Sequence, residues 1–156
     1  MLRRRDSRAL VFRMGQDLGV VCRAEAAWTL WLLGYSTQAW ARLQDALAVA
    51  QELWHPLSLA YARCVVAYVS QCRRDVPVMD EQAEAAVALA TAQGLALWAA
   101  YGTSIRGWAL AMQAQDEEAM AQIRRGITAF RATGAALLVP YLCTVGWTRL
   151  VLVSFP

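Results

Sequence analysis

The sequence predicts an all-α fold in which antiparallel helix pairs stack as a solenoid. The main observation is a 40-residue period in the large apolar positions. Three ladders show it: Leu57, Leu97 and Leu137; Tyr61, Tyr101 and Tyr141; and Trp28, Tyr68 and Trp108. A fixed period of roughly 20 to 50 residues is typical of repeat proteins, whose units bury their apolar faces against their neighbours. Alanine-rich runs such as residues 83–90 also favour closely packed helices.

The first unit is predicted to contain two helices separated by a turn at Gly34. The first helix begins near Gly19, and Ser36 or Thr37 is expected to cap the second, which extends to about Leu53. One face of this second helix follows the i, i+3, i+4, i+7 spacing with Leu43, Ala46, Leu47 and Ala50. The unit therefore resembles a helical hairpin with an apolar inner side.

Two further helix pairs are predicted over residues 56–73 and 77–93, and over residues 95–114 and 116–133. Pro56 suits the opening turn of a helix. Three acidic residues at the start of the last of these helices place negative charge at the positive end of the helix dipole, which stabilises the helix. Gly94 and Gly134 suit the left-handed position just after a helix, whereas the first unit has Trp54 there.

A seventh helix is predicted from about Ala135 to Val153, with no second helix to pair with it. The expected organisation is thus an Arg-rich N-terminal segment and a repeat domain, at residues 1–17 and 18–156, with units at about 18–54, 55–94 and 95–134 and a half unit at 135–156. The unpaired helix is expected to leave an apolar stripe uncovered, which favours a homodimer. The residues predicted to self-associate are Leu137, Tyr141, Leu150, Val151 and Val153.

The charge distribution argues against a nucleic-acid binder. Hydrophobic residues make up 58% of the chain and charged residues 17%, and the formal net charge is +3. Five arginines and one aspartate give residues 1–13 a charge of +4, so the rest of the chain carries −1. A nearly neutral body lacks the basic face that nucleic acids require. The Arg-rich start is expected to be a solvated tail, with a contact to nucleic acid or anionic lipid as the alternative.

The sequence predicts a cytoplasmic protein that does not cross a membrane. Residues 9–12 form too short an apolar run for an export signal, which needs about 7 to 15 residues. The run over residues 135–155 is long enough to span a membrane, but Pro140 and Arg149 interrupt it. Cys64 and Cys72 are about 12 Å apart along one predicted helix, too far for a disulfide, and free thiols indicate the cytoplasm.

No catalytic residue, cofactor or metal is expected. His55 is the only histidine, and its position before Pro56 indicates a helix-start residue more than a general base, since no positioned nucleophile accompanies it. The cysteines lack the spacing of metal ligands. Residues 102–107 space two glycines like a phosphate-binding loop but lack its Lys-Ser/Thr and fall inside a predicted helix. Gly107 is instead expected to allow close helix packing.

Within the units runs a pattern of Gly, four residues, Ala, six residues and Ala-Leu: Gly34, Ala39, Ala46 and Leu47. It resembles the tetratricopeptide pattern, stretched beyond the usual length. Residues 12–17, 27–35 and 105–111 also resemble the helical C-terminal arrays of large bacterial signalling ATPases, including cyclase-linked and LuxR-type activators. This resemblance covers about residues 12–141. It implies a tetratricopeptide-like array that senses a protein or small effector, and the all-arginine basic set, with no lysine, agrees with a bacterial source.

The leading functional prediction is a non-enzymatic module that binds protein or peptide. By analogy with the family, first helices line a concave face, where polar positions that differ between units are candidate partner-binding residues: Arg23, Arg63, Ser70, Gln71, Thr103 and Arg106. Arg23 and Arg63 are separated by one full repeat and favour an acidic peptide or carboxylate. Tyr61, Tyr101 and Tyr141 recur at the 40-residue period, so they are expected to pack, with hydroxyls that reach polar partners.

Two alternatives remain open. The same groove can serve a small-molecule sensor, or the chain can be a truncated array without independent function. Protein binding predicts an open, solvent-filled groove, whereas ligand sensing predicts a closed apolar pocket lined by Trp and Tyr.

Overall fold

The computed structural model describes residues 15–113 and 116–135, and this part of the chain is all-helical. Its helices are α1 (Leu18–Leu32), α2 (Ser36–Leu53), α3 (Pro56–Arg73), α4 (Val76–Ala92), α5 (Ala96–Met112) and α6 (Asp116–Ala132). The predicted all-α class is therefore confirmed. The predicted seventh helix lies outside the described residues.

The helix bounds follow the sequence prediction closely, with one corrected cap. α3 runs from Pro56 to Arg73 as expected, and α5 is shorter than predicted because it ends at Met112. The predicted cap of α2 at Ser36 or Thr37 is wrong, since Tyr35 holds the N-cap position and makes no side-chain hydrogen bond there. The Tyr35 N–H donates a hydrogen bond to the carbonyl of Leu30 at the end of α1, and the Tyr35 carbonyl accepts one from the N–H of Ala39 in α2. One residue thus ends α1 and begins α2, which leaves no room for a separate serine cap.

Left-handed residues occur at regular intervals along the chain. Positive φ angles are found at Gly34 (87°), Trp54 (51°), Arg74 (58°), Gly94 (67°) and Gly134 (80°). Gly94 and Gly134 thus adopt the predicted conformation. Trp54 and Arg74 adopt it without being glycine, although it is unfavourable for a residue with a Cβ atom. From Gly34 to Gly94 these residues are 20 positions apart, and each interval contains one helix and its turn. Two intervals therefore make up the 40-residue period of the sequence.

The helices form two layers. Short connections of two or three residues join α1 to α2, α2 to α3, α3 to α4 and α4 to α5, which makes consecutive helices antiparallel neighbours. The first helices of the pairs, α1, α3 and α5, contact one another in order, α1 with α3 and α3 with α5. Within the described ranges the second helices, α2, α4 and α6, contact first helices only.

Two clusters of buried side chains hold these layers together. One joins α1, α2 and α3 and contains Leu43 and Tyr61. The other joins α3 to α6 and contains Tyr101 and Trp108. Tyr101 and Trp108 are 6% and 2% exposed, as their ladder positions predict.

The helices of the third pair, α5 and α6, pack so closely that two glycine positions have no room for a Cβ atom. A Cβ atom on Gly107 would lie 2.8 Å from the backbone nitrogen of Ile123, and one on Gly126 would lie 2.6 Å from that of Ser104. These distances are well below a normal van der Waals contact. The predicted packing role of Gly107 is therefore confirmed, and Gly126 makes the reciprocal contact from α6.

Candidate functional site

Two of the predicted partner-binding arginines bind α4, a second helix. Arg63 Nη1 donates to Gln82 Oε1 at 3.0 Å. Arg106 forms ion pairs with Asp80 at 3.5 Å and with Glu84 at 3.4 Å. Both guanidinium groups are thus directed towards the second-helix layer.

The helical phase explains the direction of Arg63. Tyr61 marks the side of α3 that faces α1, because its hydroxyl donates to Glu25 Oε1 at 2.9 Å. Residue 63 follows by two positions, which is about 200° around the helix axis. The repeat spacing shows that Arg23 and Arg63 are equivalent, but it does not show which face they occupy.

The other predicted residues differ in their contacts and burial. Arg23 Nη1 donates to the carbonyl of Gly19 at 2.8 Å, and the Thr103 hydroxyl donates to the carbonyl of Ala99 at 2.7 Å. Ser70 is fully buried, so it offers no surface to a partner. Gln71 is partly buried. The predicted self-association residues, Leu137, Tyr141, Leu150, Val151 and Val153, lie outside the described residues.

The aromatic ladders are packing features, as predicted. Trp28 and Tyr68 pack with ring centroids 4.9 Å apart. Trp98 lies between Tyr61 and Tyr101, at 5.3 Å and 6.2 Å from their centroids. Burial, together with the hydrogen bond to Glu25, raises the pKa of Tyr61, so its hydroxyl stays protonated and donates.

A Ser, a His and an Asp meet at the starts of α1 and α3, where they cap the helices. The Asp17 carboxylate accepts from the N–H of Val20 at 3.0 Å, and the Asp17 N–H donates to Ser58 Oγ at 2.9 Å. His55 Nδ1 lies 2.9 Å from Ser58 Oγ and accepts from the Ser58 N–H at 3.3 Å. The carboxylate does not contact the imidazole, so this is no Ser-His-Asp relay.

This capping network agrees with the predicted helix-start role of His55 and changes one boundary. The sequence predicts Asp17 to lie in the N-terminal segment, whereas in the structure it is buried and caps α1. It therefore belongs to the repeat body.

The thiols of the described residues are free. Cys22 is exposed, Cys72 is partly buried and Cys64 is buried. Burial raises the pKa of the Cys72 thiol to about 11 and that of Cys64 further still. Among the described residues there is no group of three or more His, Cys, Asp and Glu side chains that could hold a metal ion. In the same part of the chain, no helix has both the length and the apolar character needed to cross a membrane.

An exposed apolar turn, not predicted from the sequence, is the main surface feature of the described chain. Leu32, Leu33 and Tyr35 flank Gly34 between α1 and α2 and are 67%, 65% and 54% exposed. Turns normally carry polar residues and glycine. The run of large apolar residues around Gly34 was the available sequence signal.

A cleft of about 460 Å³ adjoins this turn, at the end of α1, the start of α2 and the end of α3. Its lining residues are Trp31, Ser36, Thr37, Trp40, Cys72 and Arg73. The Arg73 guanidinium lies 4.2 Å above the Trp40 ring, a cation–π contact. We call this cleft the tryptophan cleft, and we call Leu32, Leu33 and Tyr35, the exposed residues that lie in the chain between its lining residues Trp31 and Ser36, its rim.

A second cleft, of about 370 Å³, lies at the starts of the first helices. It is lined by Gly15, Gln16, Leu57, Leu95, Ala96, Leu97 and Trp98. It includes two members of the leucine ladder and is mainly apolar. Both clefts are shallow and open to solvent.

Comparisons of the chain with protein-family models, with curated proteins and with solved structures found no match.

Proposed function

We propose that this chain is a non-enzymatic, tetratricopeptide-like α-solenoid that binds a protein or peptide in the cytoplasm, as part or relative of a bacterial signalling regulator. The two-layer order supports the solenoid, because first helices contact each other while second helices contact first helices only. The proposed relation to a bacterial signalling regulator is supported by the resemblance of residues 12–17, 27–35 and 105–111 to arrays of signalling ATPases. Free thiols in the described helices support the proposed cytoplasmic location.

The observation that carries the binding function is the exposed apolar turn. Three large side chains, Leu32, Leu33 and Tyr35, are each more than half exposed and lie close together in the chain. Contiguous apolar surface of this kind typically marks an interaction site. Burial of each side chain by a partner contributes on the order of 1 to 2 kcal/mol before the cost of association is counted.

The shape of the clefts favours an extended partner over a small effector. A sensor for a small molecule is expected to enclose its ligand in a closed, mostly apolar pocket. The tryptophan cleft is open, and its lining residues Trp31 and Ser36 flank the exposed turn in the chain, so an extended segment can contact both at once. Serine, histidine and aspartate side chains that could suggest hydrolysis serve as helix caps.

Selection from a random peptide display library on the folded chain tests this function. We expect enriched peptides to bind with a Kd near or below about 100 μM, a typical strength for a short segment with a few apolar anchors. The double variant Leu32→Asp/Leu33→Asp should weaken them at least about tenfold, since it removes the apolar rim.

The matched control is Ala88→Asp/Ala92→Asp, which adds the same charge at two exposed positions of α4. This control should bind the peptides like the parent chain, and circular dichroism should show that both variants stay helical. A selection without specific binders, or equal loss in the control, would refute the proposed function.

We also propose a homodimer through the C-terminal segment, because Leu137, Tyr141, Leu150, Val151 and Val153 are large apolar residues within one predicted helix. Analytical sedimentation at about 100 μM should show a species near twice the chain mass of 17.2 kDa. A species at the monomer mass at this concentration contradicts the proposal.

A further inference from the structure

The tryptophan cleft combines an apolar floor with a single sign of charge. Trp31 and Trp40 are partly buried in its wall, and the exposed leucines of the rim follow Trp31 directly in the chain. Arg73 is the only charged residue among the described lining residues. A ligand that fits must therefore offer both an apolar group and a negative charge.

The start of α2 adds to the positive charge of the cleft. Arg74 and Asp75, which follow Arg73 in the chain, carry opposite charges, so the net charge of this turn is the single positive charge of Arg73. The first turn of α2 contains no acidic residue, and its N-cap residue, Tyr35, makes no side-chain hydrogen bond. The positive end of α2 therefore adds to the potential at Ser36 and Thr37.

The contact between Arg73 and Trp40 orients the guanidinium group for recognition. Because the group lies over the indole ring at 4.2 Å, its N–H edges stay available for an acceptor. A carboxylate can accept two parallel hydrogen bonds from such an edge. Since the aromatic contact already restricts the arginine, less rotamer entropy is lost when a ligand binds.

We propose that the tryptophan cleft binds a short segment of another protein in which a carboxylate side chain lies next to a leucine or aromatic residue. The apolar group contacts Trp31, Trp40 and the leucine rim, and the carboxylate binds Arg73. A second copy of this chain is a poor occupant, because a two-fold contact through this surface would bring two Arg73 groups together. This inference rests on the proposed peptide-binding function and specifies its site and its ligand class.

Fluorescence anisotropy with three matched peptides tests the ligand class. One peptide combines glutamate with leucine, the second replaces each glutamate by lysine, and the third replaces each leucine by serine. We expect the glutamate–leucine peptide to bind at least about tenfold more tightly than the other two, and to weaken as salt rises to about 0.5 M. Equal binding of the lysine–leucine peptide would overturn the proposal, as would equal binding of a single-stranded oligonucleotide.

Two pairs of variants test the location. Arg73→Glu and Trp40→Ala should each weaken the glutamate–leucine peptide at least about tenfold. Arg124→Glu, at an exposed position on α6, and Trp54→Ala, at an 89% exposed tryptophan, are the controls and should change its affinity less than about twofold. If Arg73→Glu binds like the parent chain, the assignment of the cleft is wrong.

Alkylation of Cys72 provides a second readout that needs no change in the cleft. In a Cys143→Ser background, the bound glutamate–leucine peptide should slow modification of Cys72, which lines the cleft, and leave the exposed Cys22 unaffected. If display-selected peptides bind but neither protect Cys72 nor respond to Arg73→Glu, this inference fails while the peptide-binding function stands. If no peptide binds in either experiment, both fail.

Discussion

At the scale of single residues, Trp54 adopts an unfavourable backbone conformation. It ends α2 with φ at 51°, and its indole ring is 89% exposed, so no packing compensates for the left-handed backbone. We predict that Trp54→Gly raises the free energy of unfolding by about 1 kcal/mol, because glycine adopts this conformation without a Cβ clash. Urea unfolding measures the change.

Trp54→Ala is the control for the loss of the indole ring. Alanine keeps the Cβ atom, so this variant should unfold like the parent chain. Equal stability of the glycine and alanine variants would show that the left-handed turn stores no strain.

Thiol reactivity reports a second residue-level property. Burial raises the pKa of Cys72 to about 11, so at pH 8 we predict a thiolate fraction, and a rate with a disulfide reagent, on the order of 100-fold below that of an ordinary exposed thiol. The rate should increase as the pH approaches 11. Because the folded pKa is raised, this thiol stabilises the fold below its ordinary pKa and loses that contribution as the pH rises through about 11.

Stopped-flow measurements on a Cys143→Ser background separate the thiols of the described residues. Cys22 is exposed and should react first, whereas the buried Cys64 should react only when the chain opens. Equal rates for Cys22 and Cys72 at pH 8 would contradict the burial of Cys72.

At the scale of helices, the contact between α5 and α6 depends on Gly126. Alanine there gains about 1 kcal/mol of helix propensity, but its Cβ atom would lie 2.6 Å from the Ser104 backbone nitrogen. Backbone atoms cannot move away as a flexible side chain can, so we predict that Gly126→Ala lowers the free energy of unfolding by about 1 to 3 kcal/mol. Ala129→Gly, at an exposed position of the same helix, separately measures the contribution of helix propensity to the free energy of unfolding. A stabilised Gly126→Ala variant would show that the two helices can separate at low cost.

Local sequence features predicted the helices well because they depend on nearby residues. Glycines at 94 and 134 and proline at 56 mark their ends, and the resulting bounds agree with the structure. The sequence does not predict a left-handed turn at Arg74, because nothing in this residue type indicates one. Its position midway between Trp54 and Gly94, which are themselves left-handed, reveals it.

The candidate site was harder to predict because it depends on which way each helix is turned. The spacing of Arg23 and Arg63 shows that they occupy equivalent positions, yet only the contact of Arg63 with Gln82 shows that this position faces α4. The tryptophan cleft joins Trp31 and Trp40 of the first helix pair to Arg73 of the second. No local pattern links residues from different pairs.

At the scale of the whole molecule, the two core clusters share two tryptophans. Trp28 and Trp98 are partly buried and pack against both clusters, so they connect the first pair of helices with the last. Trp98 contacts Tyr61 in one cluster and Tyr101 in the other, and its carbonyl accepts a hydrogen bond from the Cys64 thiol at 3.8 Å. In repeat proteins the coupling between neighbours decides whether units unfold together.

Trp98→Ala should therefore uncouple the two ends as well as destabilise them. We predict a loss of about 2 to 4 kcal/mol, and a urea transition with a smaller apparent m-value, because the clusters no longer unfold as one unit. Hydrogen exchange should show amides of α2 and α6 opening with a common free energy in the parent chain and with different free energies in the variant. Trp54→Ala removes an indole ring that contacts neither cluster and should leave both measurements unchanged. If Trp98→Ala lowers stability while α2 and α6 still open together, the clusters are coupled through the helix backbones and not through this side chain.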